Sequence, residues 1–270
     1  MNIINEIEKI NIDDVKDEKK NIKFAHLINS FKCNKDNPSY LYYAQPITFK
    51  SMTVAKNTAK KNNIDIKLYS IHYPEDNKIV PKNFIKLPYL KRSTQTLFPN
   101  ISKNKKLPII QDMFNSILEH SDADYIIFTN SDIGVQPHFY KEINNIIKNQ
   151  NLDSFSINRR DNLPKFKNND MRLNPNNICY LYKLKGKNHP GHDCFIIKKE
   201  ILKKINMGLM FTGYPPWGNT LINKLKNINN KHIIFRDLFL TFHLGSDRSW
   251  VKNKKKSPLW IKNIELKKLL

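Results

Sequence analysis

The sequence predicts a single α/β domain in which a mainly parallel central sheet is flanked by helices. Short apolar segments with a period of two alternate with segments whose apolar residues recur every three to four positions. The first strand, helix and strand follow one another at the spacing of a βαβ unit with a right-handed crossover. With 270 residues, 40% of them hydrophobic, the chain is long enough to bury a substantial core.

Strands and helices alternate most regularly in the first half of the chain. In order, we predict a strand at 24–28, a helix at 47–61, a strand at 64–69, a long irregular segment at 77–107, a helix from Pro108, a buried strand at 125–129 and a helix from Pro137. The last helix has the strongest periodicity, because Phe139, Tyr140, Ile143 and Ile147 share one face.

The second half is less regular. We predict further strands at 154–157, 194–197 and 238–242, and a polar, Asn-rich loop at 163–187. A polar leader is expected at 1–20. A basic tail is expected at 251–270, where the apolar residues scatter around a helical wheel. The predicted domain therefore covers residues 21–250.

The chain is strongly basic, with 46 Lys and Arg against 24 Asp and Glu and a formal net charge of +22. Such a charge first suggests nucleic acid or another polyanion as a partner. Only six of the bases are arginine, and Lys, Asn and Ile together make up about two-fifths of the chain, a bias that fits AT-rich coding. No nucleic-acid-binding motif occurs. We therefore expect no nucleic-acid partner, and keep a non-catalytic basic protein that binds nucleic acid or sugar as an alternative.

Several other classes are disfavoured by missing patterns. Cys33, Cys179 and Cys194 share no CxxC spacing, which argues against a disulfide framework and a cysteine zinc site. The first twenty residues lack the apolar core of a signal peptide, and no apolar run is long enough to span a bilayer. Neither glycine-rich phosphate loop, GxGxxG or GxxxxGK[ST], occurs. We expect a cytoplasmic protein.

The predicted strand 125–129 ends in a polar turn, Asn130-Ser131-Asp132, a few residues before a helix. Ligands of open α/β sheets bind outside the carboxyl ends of the strands. A carboxylate at that place can hold Mg²⁺ or Mn²⁺ together with water and a diphosphate. The alternative is that Asp132 only caps the turn or the next helix.

This order of elements, with a core strand that closes on an aspartate motif, resembles the glycosyltransferase-A fold and its Rossmann-like sheet. In that family a short acidic motif, Asp-x-Asp or a variant with one Asp, binds the metal and the diphosphate of a nucleotide sugar. The matching residues are Asn130, Ser131 and Asp132. Asn130 replaces the first acid and would orient a phosphate or a sugar hydroxyl. By element order the resemblance covers roughly residues 21–250.

A second match to the family lies near the C-terminus. Many members take a third metal ligand from a late histidine, and His243, at the end of the strand-like run LFLTF, resembles that residue. Neutral imidazole is a suitable ligand for Mn²⁺-like ions. The resemblance thus implies a metal site at Asp132 and His243. The alternative for His243 is a buried histidine with satisfied hydrogen bonds.

In this family the region after the metal motif builds the acceptor side, where an acid can serve as the base. Asp193 is the first candidate for deprotonating an acceptor hydroxyl, and Asp247 is the second. Tyr214 and Trp217 would either stack on a sugar or pack within their own turn. A weaker interpretation treats the local side chains as metal ligands, namely His189, His192, Asp193 and Cys194.

Candidates for the donor's phosphates and nucleoside follow from charge and position. The planar guanidinium of arginine suits phosphate oxygens. Because arginine is rare in this Lys-rich chain, each arginine is less easily explained by the compositional bias alone. The arginine candidates are Arg92, Arg159, Arg160 and Arg248. The ends of the first two strands supply positional candidates for base and ribose, which are otherwise ordinary turn residues: Asn29, Ser30, His72, Glu75 and Asp76.

Together these features predict a glycosyltransferase that moves a sugar from a nucleotide-diphosphate donor to a hydroxyl of a glycan or glycolipid. The cation, Mn²⁺ or Mg²⁺, and nearby arginines would neutralise charge on the leaving diphosphate. The family's usual role implies polysaccharide biosynthesis. The basic tail with Trp260 is expected either to touch the inner face of an anionic membrane or to be solvated. A nucleotidyltransferase on a related scaffold is the main alternative enzyme, although the basic Gly-rich loop it would need is missing after the first strand.

Overall fold

A computed structural model describes residues 21–34, 40–103, 105–161, 174–228, 231–244 and 257–270. Within them, the strands are β1 (Lys23–Asn29), β2 (Asp65–Ile71), β3 (Ile85–Lys86), β4 (Tyr125–Thr129), β5 (Ile133–Val135), β6 (Ser154–Asp161), β7 (Lys187–Lys198), β8 (Ile233–Phe235) and β9 (Thr241–His243). The helices are α1 (Tyr40–Lys61), α2 (Thr94–Leu97), α3 (Pro99–Ser102), α4 (Ile110–His120), α5 (Phe139–Gln150), α6 (Ile178–Lys183), α7 (Lys199–Leu202), α8 (Trp217–Ile228) and α9 (Pro258–Lys268).

All these strands belong to one mixed sheet, in the order β3-β2-β1-β4-β7-β6-β9-β5, with β8 beside β6. The first four strands of that order are parallel to one another. After the α5 crossover β6 runs in the same direction as β4, and β7 lies between them in the opposite direction. The predicted α/β class is confirmed. Antiparallel pairing enters with β7, which lies between β4 and β6 and runs opposite to both.

Helices cover both faces of the sheet. Strands buried on two faces are continuous apolar runs, which is why β1 and β4 do not alternate. On one face, α1 and α5 contribute Met52 and Ile143 to the core. On the other face, α4, α8 and α9 contribute Met113, Leu221 and Leu266. Polar residues lie at the carboxyl ends of β1, β2 and β4.

Three predicted segments differ in detail. The first helix begins at Tyr40 instead of 47, and Pro46 lies inside it, because nine buried residues of α1 favour the helix more than one missing N–H disfavours it. The predicted loop 163–187 contains α6, whose Ile178 and Leu181 are buried. The irregular segment 77–107 contains the short elements β3, α2 and α3.

The end of the basic tail forms α9, which packs on the domain through Leu259, Asn263 and Leu266. Asn263 is completely buried, and its amide bonds the backbone of Phe211 and the carbonyl oxygen of Tyr214. This polar residue on the inner face interrupts the apolar periodicity, so the sequence pattern does not indicate an amphipathic helix. Among the described residues, no helix combines the length and apolarity that a membrane crossing requires.

Candidate active site

Polar side chains from β4 and β7 meet at the carboxyl end of β4. The turn 130–132 follows directly on the last residue of this buried strand. Because β7 is antiparallel to β4 and Cys194 is paired with Thr129, the preceding residue, Asp193, lies beside the turn. The amide Nδ2 of Asn130 donates a hydrogen bond of 2.8 Å to Oδ1 of Asp193. This contact joins the turn that matches the family's acidic motif to the first candidate for the base.

The strand β9 closes the site from the other side. His243 is paired with Ile133 of β5 and with Asp161 of β6, so it lies between the carboxylates of Asp132 and Asp161. The backbone N–H of Leu244 also donates to the carbonyl oxygen of Asp132 at 3.0 Å. The register of two short ladders therefore fixes the position of the histidine.

Asp132 and His243 form a half-buried ion pair, with 3.0 Å between Oδ2 and Nε2. Burial favours the neutral imidazole, but the neighbouring carboxylates of Asp132 and Asp161 outweigh it and raise the pKa of His243 to about 9. Burial also opposes the charged form of Asp132, yet His243 and Arg159 hold the pKa of this carboxyl below its usual value. At neutral pH the pair is an imidazolium and a carboxylate.

Asp161 is the functional candidate that the sequence prediction missed. One of its oxygens, Oδ1, is 3.3 Å from Nδ1 of His243 and 3.4 Å from Nε of Arg159. Burial raises the pKa of Asp161, and His243 and Arg159 overcome that effect, so the net direction is downward. Its role depends on the pairing of β6 with β9, which no local motif shows.

Arg159 links the two halves of the cluster. Its Nη1 donates to Oδ2 of Asp193 at 2.6 Å, and its Nε faces Asp161. The contacts form a continuous series of alternating charge: Asp132, His243, Asp161, Arg159 and Asp193. The only uncompensated charge in this series is one negative, since three carboxylates face two cations.

The donor set is chemically suited to a divalent cation. Mg²⁺ and Mn²⁺ commonly take one or two protein carboxylates and complete their coordination with water and substrate phosphates. Asp132 Oδ2 and His243 Nε2 converge, whereas Asp161 lies on the other nitrogen of the imidazole. Over the described part of the chain, no group of three or more His, Cys, Asp or Glu is arranged to hold a metal ion. Asp132 and His243 are therefore the two described donors that a cation would find together, and the imidazole would have to lose its proton to bind it.

The alternative set of metal ligands in β7 does not assemble. Cys194 is buried in the core of the sheet, facing away from the cluster, and burial raises the pKa of its thiol. Nδ1 of His189 accepts a hydrogen bond from the backbone of Gly191. Asp193 is already bound by Asn130 and Arg159. These contacts favour the interpretation of Asp193 as part of the main cluster.

Two of the predicted phosphate-binding arginines lie elsewhere. Arg160 follows Arg159 in β6, whose register against β7 is irregular between Asn158 and Arg160. Its Nη1 donates to the carbonyl oxygen of Lys185, and its guanidinium lies over the ring of Phe239. Arg92 is engaged with Asp112 through its Nε at 3.0 Å. Both arginines are engaged away from the cluster in this structure, and a contact of either with a diphosphate stays a prediction.

The predicted nucleoside-binding residues at the ends of β1 and β2 are largely committed to the protein itself. Asn29 donates to the carbonyl oxygen of Ile71. The hydroxyl of Ser70 donates to Ser30 at 2.7 Å and lies 3.2 Å from Nδ1 of His72. Ser30 and His72 have no exposed surface, so their side chains stabilise the strand ends and are not presented to a ligand.

Of the other predicted site residues, some are buried in the protein core and some lie outside the described residues. Ser131 is buried within the turn. Trp217 packs on the core rings of β4 and β7, and Tyr214 is also buried, so the packing interpretation holds for both. Asp247 and Arg248 lie outside the described residues, as do the leader 1–20 and residues 251–256 of the tail.

No protein-family model matches the sequence, and no curated protein matches it. Solved structures match the fold. TarS 1–349 from S. aureus in complex with UDP-GlcNAc is 13% identical with a TM-score of 0.51, over 83% of this chain and 61% of that one. Glucosyl-3-phosphoglycerate synthase from Mycobacterium tuberculosis in complex with phosphoglyceric acid is 12% identical with a TM-score of 0.51, over 92% of this chain and 80% of that one.

These structural neighbours have the glycosyltransferase-A fold, so the resemblance inferred from the order of elements is confirmed at the level of fold. The chain spans about three fifths of the length of the TarS 1–349 structures.

Proposed function

We propose that the protein is a glycosyltransferase that moves a sugar from a nucleotide-diphosphate donor to a hydroxyl acceptor on a glycan or glycolipid. The observation that carries the proposal is the junction of a carboxylate–imidazole pair, Asp132 and His243, with the Arg159–Asp193 pair at the carboxyl end of β4. The Asp132–His243 pair suits a cation, and the Arg159–Asp193 pair presents an arginine and an acid. A diphosphate leaving group needs the cation and the arginine, and an acceptor hydroxyl needs the acid.

Asp132 and His243 are the residues that would hold Mn²⁺ or Mg²⁺. The cation, when bound, acts as a Lewis acid that stabilises negative charge on the leaving diphosphate. The chain's own contribution is to keep one carboxylate oxygen and one ring nitrogen together in a partly buried place, where electrostatic interactions are stronger than in water. Asn130, which replaces the first acid of the family's motif, would orient a donor hydroxyl or phosphate.

Arg159 is the described arginine best placed to bind the diphosphate. Its side chain is only 17% exposed, and its guanidinium already bridges Asp161 and Asp193. A diphosphate that enters beside Asp132 offers a stronger, bidentate anion. Binding of the donor would then draw Arg159 towards the phosphates and loosen its contact with Asp193.

Asp193 is the first candidate for the base in an inverting reaction. Both oxygens are engaged, Oδ1 by Asn130 and Oδ2 by Arg159, but a carboxylate has about four lone-pair positions and retains acceptor capacity. These two contacts fix its orientation towards the turn 130–132. Asp247 stays the second candidate.

Similar structures support the choice of donor. TarS 1–349 was solved with UDP-GlcNAc and with UDP, and glucosyl-3-phosphoglycerate synthase with phosphoglyceric acid. On this basis we propose a nucleoside-diphosphate sugar as donor for this chain.

A binding experiment tests the proposal. UDP-, GDP- and CDP-sugars are added to the wild type with and without Mn²⁺, and the melting temperature is measured. We expect one donor class to raise it by a few degrees, as ligand at about a hundred times its dissociation constant adds about 2.7 kcal/mol. Asp132→Asn should lose the Mn²⁺-dependent part of the shift.

The matched control is Asp153→Asn. Asp153 stands at the opposite end of the same strand as Asp161, has an ion pair with Lys198 and touches no member of the cluster. It should keep the full shift. If no nucleoside-diphosphate sugar stabilises the wild type, the proposed function is wrong.

A further inference from the structure

His243 has two ring nitrogens, and each faces a different carboxylate. Nε2 lies 3.0 Å from Asp132, and Nδ1 lies 3.3 Å from Asp161. The two nitrogens of an imidazole point away from each other, so one cation cannot bind both. If Nε2 is the metal-binding atom, as its contact with Asp132 indicates, Nδ1 has to carry the proton and needs an acceptor.

Asp161 is the acceptor that the fold provides. Nδ1 of His243 and Oδ1 of Asp161 are both buried, and among the described residues neither has a hydrogen-bond partner of good geometry. Buried polar atoms without a partner are rare in folded proteins. These two are separated by 3.3 Å, so a shift of a few tenths of an ångström completes a bond between them.

The backbone prepares this contact. Asp161 and His243 are direct partners in the parallel ladder between β6 and β9, and this register repeats at Arg160 and Phe242. The other edge of β9 is paired with β5, which starts immediately after Asp132, and His243 itself is paired with Ile133. The pairing of β6, β9 and β5 therefore sets the order of Asp161, His243 and Asp132.

We propose that Asp161 is a positioning residue which orients His243 through Nδ1, so that Nε2 faces the cation held with Asp132. Outer carboxylates of this kind fix the orientation and tautomer of a metal-binding histidine and strengthen it as a ligand. Asp161 does not touch the cation in this arrangement. The inference rests on the metal site of the proposed function and assigns a residue to it that has no counterpart in the sequence motifs.

Direct Mn²⁺ binding tests the inference without any turnover. Free Mn²⁺ is measured by electron paramagnetic resonance during titration of the full chain with Mn²⁺ alone. We expect one site in the wild type that is lost in Asp132→Ala. Replacing an outer partner typically weakens metal binding about 10- to 100-fold, so Asp161→Ala should approach the upper end of that range. Asp161→Asn keeps an oxygen acceptor and should recover part of the affinity.

Asp153→Asn is again the matched control, because Asp153 is at the other end of β6 and is 37% exposed, against 36% for Asp161. It should bind Mn²⁺ like the wild type. Equal affinity in Asp161→Ala and the wild type would overturn the inference, and so would a wild type that binds no Mn²⁺. Neither result decides the proposed function, which fails only if no donor binds or turns over.

Discussion

Five side chains of alternating charge hold one another in place at the end of β4. Each contact, from Asp132 through His243, Asp161 and Arg159 to Asp193, lies between 2.6 and 3.4 Å. In the absence of substrate these charges largely compensate one another. If a cation and a diphosphate bind as proposed, the cation would compete with the proton on His243, and the diphosphate would compete with Asp193 for Arg159. Both exchanges would occur on donor binding, which couples the arrival of the donor to the release of the acid.

Below the site, His26 makes stability depend on pH. It is completely buried, bonds the hydroxyls of Tyr140 and Thr129, and burial lowers its pKa to about 3. In the unfolded chain this histidine takes up a proton below its ordinary pKa of about 6.5, whereas in the folded chain it stays neutral until about pH 3. Stability from this group is thus fully present above about pH 6.5 and is lost as the pH falls from there towards 3.

We predict that His26→Gln flattens this dependence. Between pH 6 and 4 the free energy of unfolding should fall less steeply in the variant than in the wild type. The two slopes should differ by up to about 1.4 kcal/mol per pH unit. Urea unfolding at several pH values measures the slope. His120→Gln, on the exposed end of α4, is the control and should keep the wild-type slope. A slope unchanged by His26→Gln would contradict the account of a buried neutral histidine.

At the scale of elements, the site depends on two very short strands. β5 and β9 have three residues each, and their pairing places His243 beside Asp132. Gly134, opposite Phe242, permits that pairing, because a Cβ at this position would lie 2.4 Å from the ring of Phe242. A methyl group here requires the buried ring of Phe242 to move, and β9 with it if the ring has no other space.

Gly134→Ala should therefore damage stability and the metal site together. Overpacking of this kind costs about 1–3 kcal/mol. Displacement of β9 should also weaken Mn²⁺ binding, although Gly134 has no side chain to bind a ligand. Urea unfolding and the Mn²⁺ titration measure the two effects. A variant with wild-type values in both would show that the β5–β9 contact does not position His243.

The same elements explain what the sequence could predict. The strand 125–129 was placed to the residue, because a strand buried on both faces is a continuous apolar run, and Asp132 followed from its end. Asp161 was missed because its importance arises from the register of β6 against β9. The different surroundings of Arg159 and Arg160 could not be predicted, because the register of β6 is irregular between Asn158 and Arg160. α9 was missed because Asn263 occupies a buried position.

At the scale of the whole molecule, the positive charge is a property of the surface and not of the site. The formal charge is +22, while the cluster itself has three carboxylates against two cations. A basic surface around a compensated site raises the local concentration of anionic donors without specifying them. The fold brings the specific groups together, from β4, β6, β7 and β9.

The measurement that tests the central claim most directly is donor turnover. Wild type, Asp132→Asn and Asp153→Asn are incubated with Mn²⁺ and a panel of nucleoside-diphosphate sugars, and release of the nucleoside diphosphate is followed. We predict release from one donor class by the wild type and by Asp153→Asn, and a rate lower by about 10²–10³ in Asp132→Asn, the usual cost of losing one electrostatic contact to the transition state. Equal rates in the wild type and Asp132→Asn, or no release from any donor, would contradict it.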